Sequence, residues 1–349
     1  MNRSLVAALI VLAGCPHHDK PVRDDARVPP AGSDAAQAIV LPPPPMIPGE
    51  PLGLPPPTEG INPLFAPHLA LGELLFYDPR LSTTGTIACA TCHDPAHDHS
   101  GNGRQPTAAG APNLRRAPSL SNIKWRRELG WDGRYASLDD MLPPHLRGQM
   151  GDEFPVLFAR VSSLPVYRAH LDRLAASDRR PEAELAMFAI AMYVRTRYQG
   201  DSPWDKAERS GSPPADLAAG YALFMGKAQC SVCHPPPLYT DLGYHRLGLI
   251  ATKDEGRGRV APDQAGAFAT PSVRGAVART TMFHDGSAAD LDAAIDWHLA
   301  GGTGQGADPS IIDPALKPVK LTADERAKLG AFVRALTKQG PPPTKPTLP

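Results

Sequence analysis

Four of the five cysteines fall into two pentapeptides of one pattern, Cys89-Ala90-Thr91-Cys92-His93 and Cys230-Ser231-Val232-Cys233-His234. In CxxCH the two thiols add across the vinyl groups of a haem, and the adjoining histidine is held beneath the ring to ligate iron. Redox CxxC pairs and zinc-binding pairs share the spacing of the thiols. Neither requires a histidine directly after both pairs, and one zinc would have to gather thiols from two distant stretches of chain. Two c-type haems are therefore expected, attached through Cys89, Cys92, Cys230 and Cys233, with His93 and His234 as iron ligands. The fifth cysteine, Cys15, ends the segment MNRSLVAALIVLAGC, in which a single Arg3 precedes an apolar run from Leu5 to Leu12 and small residues precede the cysteine. The run is far shorter than the roughly 18–20 residues that span a bilayer, and its flanks suit a lipoprotein signal peptide. Residues 1–14 are expected to be removed and Cys15 lipidated. The mature protein would then sit in the periplasm, and Pro16 after the cysteine favours the outer membrane.

Positioning two haems requires helices on either side of each. Leu69-Ala70-Leu71-Gly72-Glu73-Leu74-Leu75-Phe76 precedes the first CxxCH and Leu217-Ala218-Ala219-Gly220-Tyr221-Ala222-Leu223-Phe224 the second, an LAxGxxLF repeat. Its apolar residues recur at helical spacing, and the shared glycine allows close approach to another helix or to haem. A further apolar helix is expected over Glu184 to Tyr198, broken by Gly200-Asp201-Ser202-Pro203. Near the end, Thr322-Ala323-Asp324-Glu325 is a capping box, leading an apolar stripe through Leu329, Phe332, Val333 and Leu336. No alternating run is long enough for a real sheet. The expected fold is all-α: two cytochrome c-like domains, 61–204 and 205–339, with long irregular loops around the haems. Residues 15–60, with proline runs at 42–45 and 55–57, read as a stiff flexible tether, and 340–349 as a loose tail. The chain of 349 residues has 36 basic and 36 acidic residues, which gives no basic stripe for a nucleic acid. Aromatic residues are only 6% of it, so part of the core is expected to be porphyrin rather than side chain.

From about Asn62 to Leu336 the sequence resembles the bacterial di-haem cytochrome c peroxidases and their MauG-type relatives. The resemblance is carried by Leu71-Gly72-Glu73-Leu74-Leu75-Phe76-Tyr77-Asp78-Pro79-Arg80-Leu81-Ser82, Arg116-Ala117-Pro118-Ser119-Leu120, Trp131-Asp132-Gly133-Arg134, Gly256-Arg257, Thr270-Pro271-Ser272-Val273-Arg274 and His284-Asp285-Gly286-Ser287. It implies a peroxidase in which the His93 haem meets hydrogen peroxide and the His234 haem accepts electrons from a small c-type cytochrome or cupredoxin. A MauG-like oxidation of a partner protein and a non-catalytic electron carrier are the alternatives. Where family peroxidases carry glutamate in a Glu-Met-Gly segment, this chain has Gln149-Met150-Gly151. An amide hydrogen-bonds peroxide but cannot shuttle its proton, which tilts the reading toward slower oxidation of a protein or other donor, or passes the acid role to Asp152 or Glu153. Trp131 falls where the family places a tryptophan between the haems. On the second haem the resemblance puts the distal ligand seven residues after the leucine that follows HDGS, at His298, with Met282 the other candidate. His97 and His99 are candidates to cap the first iron at rest, and Arg80, Arg134 and Arg274 to pair with haem propionates. Arg116 stands where the family has a calcium-binding asparagine, which argues against calcium. Dimers are frequent in the family, making a homodimer a candidate state.

Overall fold

The two copies of the LAxGxxLF repeat fold alike. In the computed structural model, which describes residues 39–49, 51–56, 62–250 and 253–349, the first copy lies in α1 (Ala66–Tyr77) and brackets a set that continues with α2 (Cys89–Cys92), α3 (Leu138–Met150), α4 (Phe154–Ser162), α5 (Pro165–Ala175) and α6 (Glu182–Arg195). After α7 (Pro203–Arg209), the second copy lies in α8 (Ala215–Met225), followed by α9 (Leu291–Leu299) and α10 (Ala323–Ala335). Gly72 of α1 faces the backbone of α6, where a Cβ would run into the Ala189 carbonyl, and Gly220 of α8 faces α10, where a Cβ would meet the Lys328 carbonyl. Each glycine thus lets a helix, not a haem, come close.

Each helix pair seeds a core. Leu71, Leu75, Leu157, Val161, Ala186 and Ala189 are wholly enclosed in the first, which runs from Leu71 to Val194. The second, from Trp204 to Leu336, is built on aromatics, with the Trp204 and Phe332 rings edge to face at 4.9 Å. Burying a side chain of this size stabilises by roughly 1.5–3 kcal/mol, so the rings offset a smaller apolar count. Both cores lie within one compact unit, Ile39–Pro349. The only strands among the described residues are the two-residue pair Tyr244–His245 and Phe268–Ala269. The fold is all-α with long loops, and no described helix is long and apolar enough to cross a membrane.

Local chemistry sets the helix ends. The α10 capping box forms as expected, Thr322 Oγ1 accepting from the Glu325 amide and the Glu325 carboxylate from the Thr322 amide. Helix α6 starts two residues before the expected Glu184, with acidic Glu182 and Glu184 at its positive end, and stops at Arg195 as the Thr196 hydroxyl takes the Tyr193 carbonyl at 2.7 Å. Ser137 caps α3 and Asp290 caps α9, each side chain accepting the amide three residues on.

The leader 1–14 and Cys15 lie outside the described residues. The described part of the proline-rich stretch is not a free tether. Arg173 donates to the carbonyls of Leu41 and Pro42, and Leu52 exchanges hydrogen bonds with Asp201 at 2.8 and 2.9 Å. The strongest anchor is Arg274, which donates to the Gly53 carbonyl while gripping Asp205 with both terminal nitrogens at 2.8 Å.

Candidate functional site

Each CxxCH closes one tight turn, the histidine amide bonding back to the first cysteine carbonyl at 2.8 Å for His93 and 2.9 Å for His234. The four cysteines of the two motifs form no disulfide in the structure. The His93 Nδ1–H points at the carbonyls of Pro118 (3.0 Å) and His99 (3.2 Å), and His234 Nδ1–H at that of Tyr239 (3.1 Å). These bonds fix the tautomer and leave Nε2 of each ring for a metal. Burial pushes both rings down to about 4, so each is the neutral imidazole that iron needs.

In front of each histidine lies a large hollow. The first, about 1620 Å³ counting its mouth, holds Cys89, Cys92, His93, Trp131, Arg134 and Gln149 in its wall. The second, about 1530 Å³, holds Cys230, Cys233, His234, Met282 and His298. The ring of His298 lies 6.3 Å, centre to centre, from that of His234, and its Nδ1–H donates to the Ala294 carbonyl at 2.7 Å, freeing Nε2. With a metal–imidazole bond of about 2.0–2.1 Å, two rings on opposite sides of one metal have centres about 6 Å apart. The hollows, the thiols at their edges and the histidine orientation fit two covalently held haems.

Trp131, 6% exposed, stands in the wall common to both hollows. Its Nε1–H donates to the Arg116 carbonyl at 2.7 Å, and the Arg116 guanidinium lies 5.6 Å from its ring centre. Arg116 in turn ties the seam, its Nε donating to the Phe283 carbonyl and its amide to that of His284. Gln149 forms a reciprocal amide pair with Asn113, at 2.8 and 3.0 Å, on the wall of the first hollow. The carboxylate in that wall, Asp132, is clamped by Arg115 and Arg134. Burial alone would raise its pKa, but those guanidiniums hold it below the usual range.

Several expected roles are not supported. Glu153 pairs with Arg147 on the surface and Asp152 bonds the Glu153 amide, so neither reaches the hollow to act as the acid. His97 is held by Asp94 at 2.7 Å, the His99 ring packs against Phe76, and neither lines the first hollow. Of the three arginines expected at propionates, only Arg134 lines a hollow. Arg80 is turned onto Asp78 and Arg274 is committed to Asp205, because each carboxylate lies within reach as a paired, buried partner.

His145 was not singled out from the sequence. It projects from α3 into the first hollow, one turn before Gln149, with its ring centre 6.4 Å from that of His93. The signal was present in the spacing, because Leu138 follows Trp131-Asp132-Gly133-Arg134 as Leu291 follows His284-Asp285-Gly286-Ser287, and each leucine precedes a histidine by seven residues. Another cluster, Cys233, Asp241 and His245, brings possible metal-ligating atoms within 4.8 Å of one another. It is an ion-pair site: hydrogen bonding to Asp241 and then Cys233 pushes His245 up to about 11, with Asp313 on its other nitrogen.

The profile of the di-haem cytochrome c peroxidases matches residues 66–212. The methylamine utilization protein MauG of Methylorubrum extorquens is 34% identical over 297 residues, covering 82% of this chain and 83% of that protein. The cytochrome-c peroxidase IdrP1 of Denitromonas iodatirespirans is 32% identical over 334 residues, covering 83% and 87%. Among solved structures, a MauG-like protein associated with microbial copper homeostasis superposes with a TM-score of 0.74 at 26% identity, covering 83% of this chain and 95% of that one. With its two haem sites and these relatives, the chain belongs to the di-haem cytochrome c peroxidase family, oxidoreductases that carry two covalently bound c-type haems.

Proposed function

We propose that this protein reduces hydrogen peroxide at the His93 site with electrons relayed through the His234 site from a small c-type cytochrome or cupredoxin. Each haem, when bound, would supply an iron that exchanges single electrons, and the one held by His93 would be the one to take peroxide. The observation that carries the reading is Trp131, a buried indole in the wall shared by both hollows. One redox site that receives electrons and another that spends them need such a bridge.

The chain's own groups do the rest. Cys89, Cys92, Cys230 and Cys233 attach the two groups, and His93 and His234 bind from below, oriented by backbone carbonyls. His298 is proposed as the second ligand of the C-terminal haem. Two imidazoles donate more strongly than imidazole plus thioether and lower the reduction potential. Gln149 and Asn113 orient peroxide through amide hydrogen bonds. Protons for the conversion of one peroxide and two electrons to two waters come from solvent, since the amides hold none to give. The same absence of a free carboxylic acid at Gln149 favours a second reading, slow oxidation of a partner protein in the manner of MauG. The sequence before residue 38 supports a periplasmic setting, with lipid on Cys15 anchoring the protein to the outer membrane.

The test is peroxide-dependent oxidation of a reduced small cytochrome by the purified holo protein. Turnover supports the leading reading, and peroxide consumption only alongside a co-encoded protein supports the second. Two six-coordinate irons inert to peroxide with every donor leave an electron carrier. For His298, low-temperature EPR of the ferric protein and of His298→Ala decides: unchanged ligand-field signals remove it from the assignment.

A further inference from the structure

We propose that His145 is the second axial ligand of the N-terminal haem, so that the resting protein holds both irons between two imidazoles. The inference deepens the peroxidase reading, and rests on it only for the consequence that α3 must release His145 before peroxide binds.

The first support is an internal repeat. The loop Trp131-Asp132-Gly133-Arg134 is pinched by a bridge between Leu129 and Tyr135, and His284-Asp285-Gly286-Ser287 by one between Met282 and Ala288. A capping residue follows in each half, Ser137 or Asp290, then Leu138 or Leu291 opening a helix. Seven residues on, two helical turns along the same face, come His145 and His298. The two histidines therefore occupy equivalent places in the two halves.

The second support is geometry. His145 faces His93 across the first hollow at 6.4 Å between ring centres, as His298 faces His234 across the second at 6.3 Å. Both values match rings on opposite sides of one metal, given metal–nitrogen bonds of about 2.0–2.1 Å.

The two halves differ in how firmly that ligand is backed. Pro143 and Pro144 lie inside α3 directly before His145. Lacking N–H groups, they leave the carbonyls of Asp139 and Asp140 without their helical donors and loosen that turn. Helix α9 contains no proline, and His298 is braced on the Ala294 carbonyl. The N-terminal ligand is the releasable one.

The test uses ferric holo protein, read by low-temperature EPR and optical spectra. Wild type is expected to be wholly low-spin. His145→Ala should convert one of the two haems to high-spin, and added imidazole should return it to low-spin, while the signal of the other haem stays unchanged. His145→Met, which keeps a ligand on the helix, should stay six-coordinate with an altered ligand field, guarding against a folding artefact. One high-spin haem already present in wild type, or no change of spin state in His145→Ala, overturns the proposal without touching the peroxidase reading. If the variant opens as expected and still leaves peroxide and reduced cytochrome unreacted, His145 stands as ligand and the peroxidase reading fails.

Discussion

Replacing Gln149 by glutamate tests whether a missing proton shuttle limits peroxide chemistry here. In the structure the Gln149 carbonyl accepts from Asn113 Nδ2 at 2.8 Å and its amide donates to Asn113 Oδ1 at 3.0 Å. A carboxylate keeps and strengthens the first bond and loses the second. With a neutral hydrogen bond contributing about 1 kcal/mol and a charge-assisted one more, stability should move by no more than about 1 kcal/mol. The kinetic change should be far larger. A positioned general acid–base contributes about 10²–10⁴-fold, or about 2.7–5.4 kcal/mol of barrier. Stopped-flow mixing with peroxide, with and without His145→Ala, is the assay. Expected in the His145→Ala background are a rate increase of about a hundredfold or more and a new carboxylate limb in the pH profile. A rate that stays flat, with no new ionisation, would refute the premise that Gln149 stands where the proton must move.

Trp131→Phe keeps the packing of the wall but removes the indole and its bond to the Arg116 carbonyl. It should slow cytochrome-driven turnover while leaving both haem spectra and the direct peroxide reaction of the N-terminal site in place, as steady-state and single-mixing kinetics would show. Asp205→Ala leaves the 1%-exposed Arg274 without its carboxylate. The expected cost is about 3–5 kcal/mol in denaturant unfolding, with an Asp205→Leu, Arg274→Met pair costing much less. The seam should also be acid-labile. Burial opposes the ionisation of Asp254, yet the Arg115 hydrogen bonds outweigh it and bring its pKa down to about 2. Its folded value therefore lies below its unfolded value of about 3.9, and its stabilisation is complete above about pH 4 and lost as pH falls through about 2. Unfolding midpoints against pH should show a shallower acid limb in Asp254→Asn, and an unchanged limb would count against this pair.

What could be read from the chain alone was whatever chemistry closes within a few residues. Both CxxCH turns and the Thr322–Glu325 capping box depend on neighbours within about one turn, so spacing suffices. His298 came from the family resemblance instead, which points seven residues beyond Leu291. Tertiary structure decided the pairings that cross long loops. His145 meets His93 from 52 residues away, Arg274 turns from a propionate to Asp205, and Asp98 in the loop after the first haem motif is gripped by Arg279 of the other half. Such contacts depend on how two cores pack, since a buried guanidinium takes whichever carboxylate the packing brings within reach. That choice leaves no period or motif in the sequence.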